Sequence, residues 1–137
     1  MESDPGPTTR PEAVAGAFYP GDGESLMETV RDLLDAAAKG APPRVPKALI
    51  VPHAGYVYSG PVAASAYASL VALKSRAKRV VLIGPSHFKA FAGIAVPTVE
   101  TFATPMGPVA LDRRAIDALL ADGLACPDDG AHREEHA

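Results

Sequence analysis

Lys47-Ala48-Leu49-Ile50-Val51-Pro52-His53 and Arg79-Val80-Val81-Leu82-Ile83-Gly84-Pro85-Ser86-His87 follow one plan: a short apolar run, a proline-marked exit, then a histidine. Continuous apolar runs of this length, rich in Val, Ile and Leu, predict strands buried on both faces, the signature of a parallel sheet. Between them, a loop of small residues from His53 to Gly60 leads to a helix predicted from Pro61 to about Leu73, since proline suits the first helical position. Strand, helix and strand in this order predict a right-handed βαβ unit and an α/β fold. Both imidazoles would then leave the sheet at its carboxyl edge, where open α/β sheets bind their ligands. Two converging histidines suggest a metal or a general acid/base site.

Working outward, Gly23–Lys39 carries Leu26, Val30, Leu33, Leu34 and Ala37 at helical spacing, with Gly40 placed to end the helix. The small residues after Pro61 would let the second helix approach a sheet closely. Glu12–Pro20 predicts an extended apolar stretch, and Ala41–Pro46 a stiff, non-helical connector. Downstream, Gly93–Val96 and Thr98–Phe102 predict a hairpin turning near Pro97, and Pro108–Leu111 a short strand. Asp112 predicts the cap of a helix over Arg113–Ala121, with Gly123 beyond its end. Leu124–Ala137 is polar and offers nothing to close a fold. So few strands make a thin sheet with exposed edges, which predicts the front part of a longer protein.

The chain has 137 residues, 47% of them hydrophobic and 21% charged, with a net charge of −3 from 16 acidic and 13 basic side chains. The composition is that of an ordinary globular domain. There is no basic stripe for a nucleic-acid backbone; Lys74, Arg76, Lys78 and Arg79 read as a solvated connection. The one cysteine, Cys126, excludes an internal disulfide framework. No apolar run approaches the roughly 20 residues that cross a membrane. The acidic, proline-rich start is unlike a signal peptide, so the expected location is cytoplasmic.

His53 is framed by Pro52 and Gly55, with Tyr56, Tyr58 and Ser59 offering hydroxyls in the same loop. His87 follows the sharp Gly84-Pro85 exit beside Ser86. Neutral imidazole is the commonest protein metal ligand, and two histidines with a carboxylate and open positions suit non-heme Fe(II). His132 and His136 are four apart, but His132-Arg133-Glu134-Glu135-His136 puts arginine where a zinc protease needs its glutamate. His136 is the better candidate of the two to join His53 and His87. Cys126 has no positioned base near it in sequence.

Pro52-His53-Ala54-Gly55-Tyr56 with Tyr58-Ser59-Gly60, followed by Leu82-Ile83-Gly84-Pro85-Ser86-His87, resembles the MEMO family, whose bacterial and archaeal members are called AmmeMemoRadiSam system protein B. Arg10-Pro11, Phe18-Tyr19-Pro20, Thr104-Pro105-Met106-Gly107 and Glu135-His136 add to the likeness, which covers the chain from about Arg10. The resemblance implies a three-layer α/β/α sandwich similar to the catalytic subunit of class III extradiol dioxygenases, here truncated. Residues 1–10 would be a flexible lead and 11–137 the N-terminal part of a single domain. The family's metal ligands correspond to His53 and His87, with a cysteine much further along whose context Cys126 does not match.

The function implied first is a metal-dependent oxidoreductase of dioxygenase-like type. His53 and His87 would hold Fe(II) or copper, with Tyr56 and His136 lining the pocket or moving protons. The alternatives are a non-catalytic module binding a peptide or small ligand, and an accessory to a radical SAM protein, which rests on the family's name alone.

Overall fold

The first helix starts where Asp22 ends its unpaired amides. In the computed structural model, which describes residues 8–40, 45–73 and 77–136, the Asp22 carboxylate accepts a hydrogen bond from the Ser25 amide at 2.8 Å. Helix α1 then runs over Gly23–Ala38, within a residue of expectation, with Leu26 buried. The described chain divides into a helical unit, Val14–Ile83 with His136, and a strand-bearing unit, residues 8–13 with Gly84–Glu135.

In the helical unit, α2 spans Tyr56–Tyr67 and tightens into a 3₁₀ segment over Ala68–Leu73. It begins five residues before the predicted start at Pro61, which lies inside it. Proline there removes one helical hydrogen bond. The earlier start is fixed by anchors outside the helix: the Tyr56 amide donates to the Phe18 carbonyl at 2.7 Å, and the Ser59 hydroxyl donates to the Ala54 carbonyl at 2.7 Å. The small face of α2, with Ser59, Gly60 and Ala64 buried, packs on α1 rather than on a sheet. Gly60 is what brings the helices together: a Cβ added there would stand 3.1 Å from Leu33 Cδ1. The predicted extended stretch around Gly16 is instead a tight turn, with the Ala17 and Phe18 amides both on the Val14 carbonyl.

The two apolar runs depart furthest from expectation. Neither the Lys47–Val51 nor the Arg79–Ile83 segment joins a ladder among the described residues, so the βαβ unit is not formed there. Ile50 is fully exposed, and Val80, Val81, Leu82 and Ile83 are 73–88% exposed. A strand destined for burial on both faces needs a neighbour on each edge and a layer above and below. Among the described residues, neither run has a hydrogen-bonded neighbour strand.

The strand-bearing unit holds the ladders. β1 (Thr9–Arg10) pairs in parallel with β3 (Thr101–Phe102), which pairs antiparallel with β4 (Val109–Ala110). Thr9 and Arg10, in the expected flexible lead, are therefore strand residues; positions 1–7 of that lead lie outside the described residues. β2 (Ala95–Val96) pairs in parallel with β5 (Cys126–Pro127) across helix α3 (Arg113–Ala121). The hairpin expected at Pro97 is thus displaced to β3 and β4. Positions 97–99 are pinned as a connector instead: Asp129 accepts from the Thr98 amide at 2.7 Å, and Arg113 Nη1 donates to the Pro97 and Val99 carbonyls. Asp112 caps α3 through the Ala115 amide at 3.0 Å, as predicted.

The chain therefore combines helices with short β-ladders, as an α/β reading requires at its coarsest. Among the described residues, the buried apolar side chains are Leu26, Ala64 and Ala68 in one unit and Val96 and Ala131 in the other. No described helix is long and apolar enough to cross a membrane. Part of the proline-rich connector (positions 41–44) and Lys74 and Arg76 of the basic cluster lie outside the described residues.

Candidate metal centre

His53 sits in an open cavity of about 560 Å³ in the helical unit, lined by Phe18, Pro52, Gly55, Tyr58 and His136 among others. Its loop is held at both ends. Ser59 grips Ala54, and Gly55 lies so close to Phe18 that an added Cβ would approach its carbonyl oxygen to 3.4 Å. The His136 ring packs at 4.8 Å from Phe18 and 5.6 Å from His53, centroid to centroid. Two imidazoles thus share one wall, with an aromatic ring behind them.

Tyr56 and Tyr58 take different places. Tyr58 lines the cavity. Tyr56 packs at 5.8 Å from Tyr19, and burial, with Tyr19 and Tyr67 nearby, raises its phenol above the usual value. A raised phenol stays protonated at neutral pH and acts as a hydrogen-bond donor.

His87 belongs to the strand-bearing unit, and there it is gripped by Glu135. One carboxylate oxygen accepts from the His87 backbone amide, and the other lies 2.7 Å from ring Nδ1. Glu135 is 8% exposed. Burial pushes its carboxyl upward, but the hydrogen bonds and charge of His87 outweigh that and leave it below the usual range. The adjoining turn is braced as well. Ser86 donates to the Lys89 carbonyl at 2.6 Å, and Lys89 reaches both Asp128 oxygens at 2.7 Å.

The structure thus brings His53 together with His136, and His87 together with Glu135. His132 stands elsewhere: its ring lies 6.2 Å from Phe102, and its carbonyl accepts from Arg10 Nη1 at 2.9 Å. Positions 132–136 are a turn and an irregular end, so His132 and His136 share no helical face. Cys126 is exposed in β5, with Sγ 3.5 Å from the Ile94 carbonyl. Sequence reasoning overlooked two contributors: Phe18, whose backbone and ring support the cavity, and Glu135, noticed beside His136 but given no task.

A family model described as Memo-like protein matches residues 10–137. The chain belongs to the Memo family. Among its relatives, a MEMO1 family protein of Ignicoccus hospitalis is 39% identical over 137 residues, covering 93% of this chain and 48% of the relative. One from Aquifex aeolicus is 38% identical over 130 residues, covering 93% and 46%. One from Methanobrevibacter smithii is 34% identical over 138 residues, covering 93% and 49%. This Memo chain spans about half the length of the curated relatives it matches.

Proposed function

We propose that this Memo chain carries a metal-binding pocket of dioxygenase-like type, with His53 and His87 as ligands and His136 beside them. The observation that carries the reading is the fixed presentation of its imidazoles. His136 is packed against His53 on the Phe18 wall of one unit, and in the other unit Glu135 holds His87. Imidazoles tethered this way lose little freedom on coordination, which lowers the entropic cost of binding a cation. A set of neutral nitrogen donors suits Fe(II) or copper, and an exposed carboxylate-only site would not. When bound, such an ion supplies Lewis acidity and one-electron chemistry. The chain's own part is to orient the donors, to offer the Tyr58 hydroxyl at the cavity wall, and to hold Tyr56 protonated nearby.

The architecture proposed with this function is a three-layer α/β/α sandwich in which Lys47–Val51 and Arg79–Ile83 become interior strands once further layers cover them. Their apolar side chains, exposed in isolation, support that reading. Anaerobic titration of the chain with Fe(II), followed by calorimetry, tests the site. We expect binding that His53→Ala and His87→Ala each weaken by about tenfold or more. Absence of binding, or affinity indifferent to both substitutions, would overturn it.

A second reading is a non-catalytic ligand module. The apolar lining from Phe18, Pro52 and Tyr58 favours it, since apolar walls with a few polar groups are common in ligand pockets. Binding of a small phenol that survives His53→Ala and fails with Tyr58→Ala would favour this over the metal site.

A further inference from the structure

We infer that Glu135 is the positioning residue of His87, fixing both the tautomer and the direction of its imidazole; this rests on the reading of His87 as a metal ligand. The grip is made at two points. A carboxylate bonded only to the ring would let the imidazole and the acid swing together. Here the same carboxylate also accepts the His87 backbone amide, which ties the ring to its own main chain. An ionised carboxylate can only accept, so Nδ1 carries a proton, and in the neutral imidazole the lone pair then resides on Nε2. Histidine ligands of metal ions are usually held this way, with the second nitrogen donating to a carboxylate that sets ring orientation and basicity.

Glu135 is itself anchored through a traceable series of contacts within the strand-bearing unit. Its amide donates to the His132 carbonyl at 3.3 Å. The same carbonyl accepts from Arg10 Nη1 at 2.9 Å. The Arg10 guanidinium lies 4.0 Å above the Phe102 ring, and Arg10 and Phe102 are register partners in the parallel β1–β3 ladder. The position of Glu135 is thereby referred to the sheet. This assigns a task to Arg10 and His132 that neither a ligand role nor a protease motif supplied. A planar guanidinium can stack and donate at once, which an ammonium in its place would do poorly.

The test uses the whole chain labelled with ¹⁵N-histidine and free of metal, read by long-range ¹H–¹⁵N correlation of the imidazoles. His87 is expected as the Nδ1–H tautomer. Glu135→Ala should release it toward the Nε2–H form and weaken Fe(II) binding by about 10- to 100-fold. Glu135→Gln, whose amide oxygen can still accept from the ring, should retain more of both. Far-UV circular dichroism, with the amide spectrum of the strand-bearing unit, reports that the variants fold. An Nε2–H tautomer in the unsubstituted chain, or one that Glu135→Ala leaves unchanged, would overturn the inference even if Fe(II) binds through His87. A tautomer that shifts as expected in a chain with no Fe(II) affinity would overturn the metal reading and leave Glu135 as the residue that sets His87.

Discussion

Val81 and Val96 make the most instructive contrast in this molecule. Val81 lies in the most strand-like run of the sequence, flanked by Val80, Leu82 and Ile83, yet is 77% exposed and pairs with nothing among the described residues of its unit. Val96 lies in a weak, two-residue strand and is 7% exposed, paired through β2 with Pro127 of β5. Apolar continuity states how much burial a segment requires and is silent about what provides it. β2 finds its partner inside the same unit across α3, as β3 finds β4 across a short turn. The Arg79–Ile83 run requires neighbours on two edges and two faces, and among the described residues of its unit no strand pairs with it.

The same substitution at both valines puts a number on the difference. Val96→Ala should lower the unfolding free energy by about 2 kcal/mol, combining lost burial with a small cavity. Val81→Ala should stay within about 0.5 kcal/mol, as surface changes do. Urea denaturation of both variants measures this. Equal costs would mean that the Arg79–Ile83 run is covered in solution, and the contrast would dissolve.

How much could be read in advance follows the same division between local and distant causes. The helix α3 was legible because Asp112, three residues before the amide it caps, and the spacing of Ile116, Leu119 and Leu120 are all local. The start of α2 was misread because it is set by the Phe18 carbonyl, far away in sequence, against the local advice of Pro61. His53 and His87 stood out through the proline-marked exits that precede them. Glu135 did not, since its hold on His87 joins residues 48 positions apart, and no periodicity encodes such a pair. β1 and β5 escaped for the same reason: two residues carry no alternation to detect, and their partners lie across the unit. The ladder contacts that sequence reading missed are therefore the nonlocal ones.

A local device should respond in proportion to its locality. Asp112→Ala removes the carboxylate that caps α3 and is expected to cost about 1 kcal/mol, with loss of helical signal in far-UV circular dichroism. Because α3 carries the crossing from β4 to β5, the same variant should speed amide exchange at Cys126. No change in either would mean that packing, and not capping, sets where α3 begins.

Charging the exposed run sharpens the contrast from the other side. Val81→Lys and Ile83→Lys are expected to leave stability within about 0.5 kcal/mol, since neither side chain gives up burial. They should reduce self-association in sedimentation velocity, because long apolar edges template pairing between chains and lysine blunts them. A large loss of stability would place the run in a core.

The smallest effect expected is on acid stability, and it belongs to the connector that displaced the predicted hairpin. Asp129 is held below its usual range by the hydrogen bonds from the Thr98 hydroxyl and amide, which outweigh its modest desolvation and the repulsion of Asp128. A carboxylate with a depressed value in the folded state binds protons more readily when unfolded, so stability rises with pH through its titration. The contribution is complete above the ordinary aspartate range and disappears as pH falls through the lower, folded value. Thr98→Val removes the hydroxyl donor and should flatten the acid limb of stability against pH, the loss being present in full near neutrality and fading as pH falls through the folded value. Because Asp129 is largely solvated, screening keeps this below the effect of the Asp112 cap. Urea midpoints compared between the ordinary aspartate range and neutrality, for the unsubstituted chain and the variant, would show it. Parallel curves would mean that the 97–99 connector is held by the Arg113 bonds to the Pro97 and Val99 carbonyls, leaving that guanidinium as the cause of the hairpin's displacement.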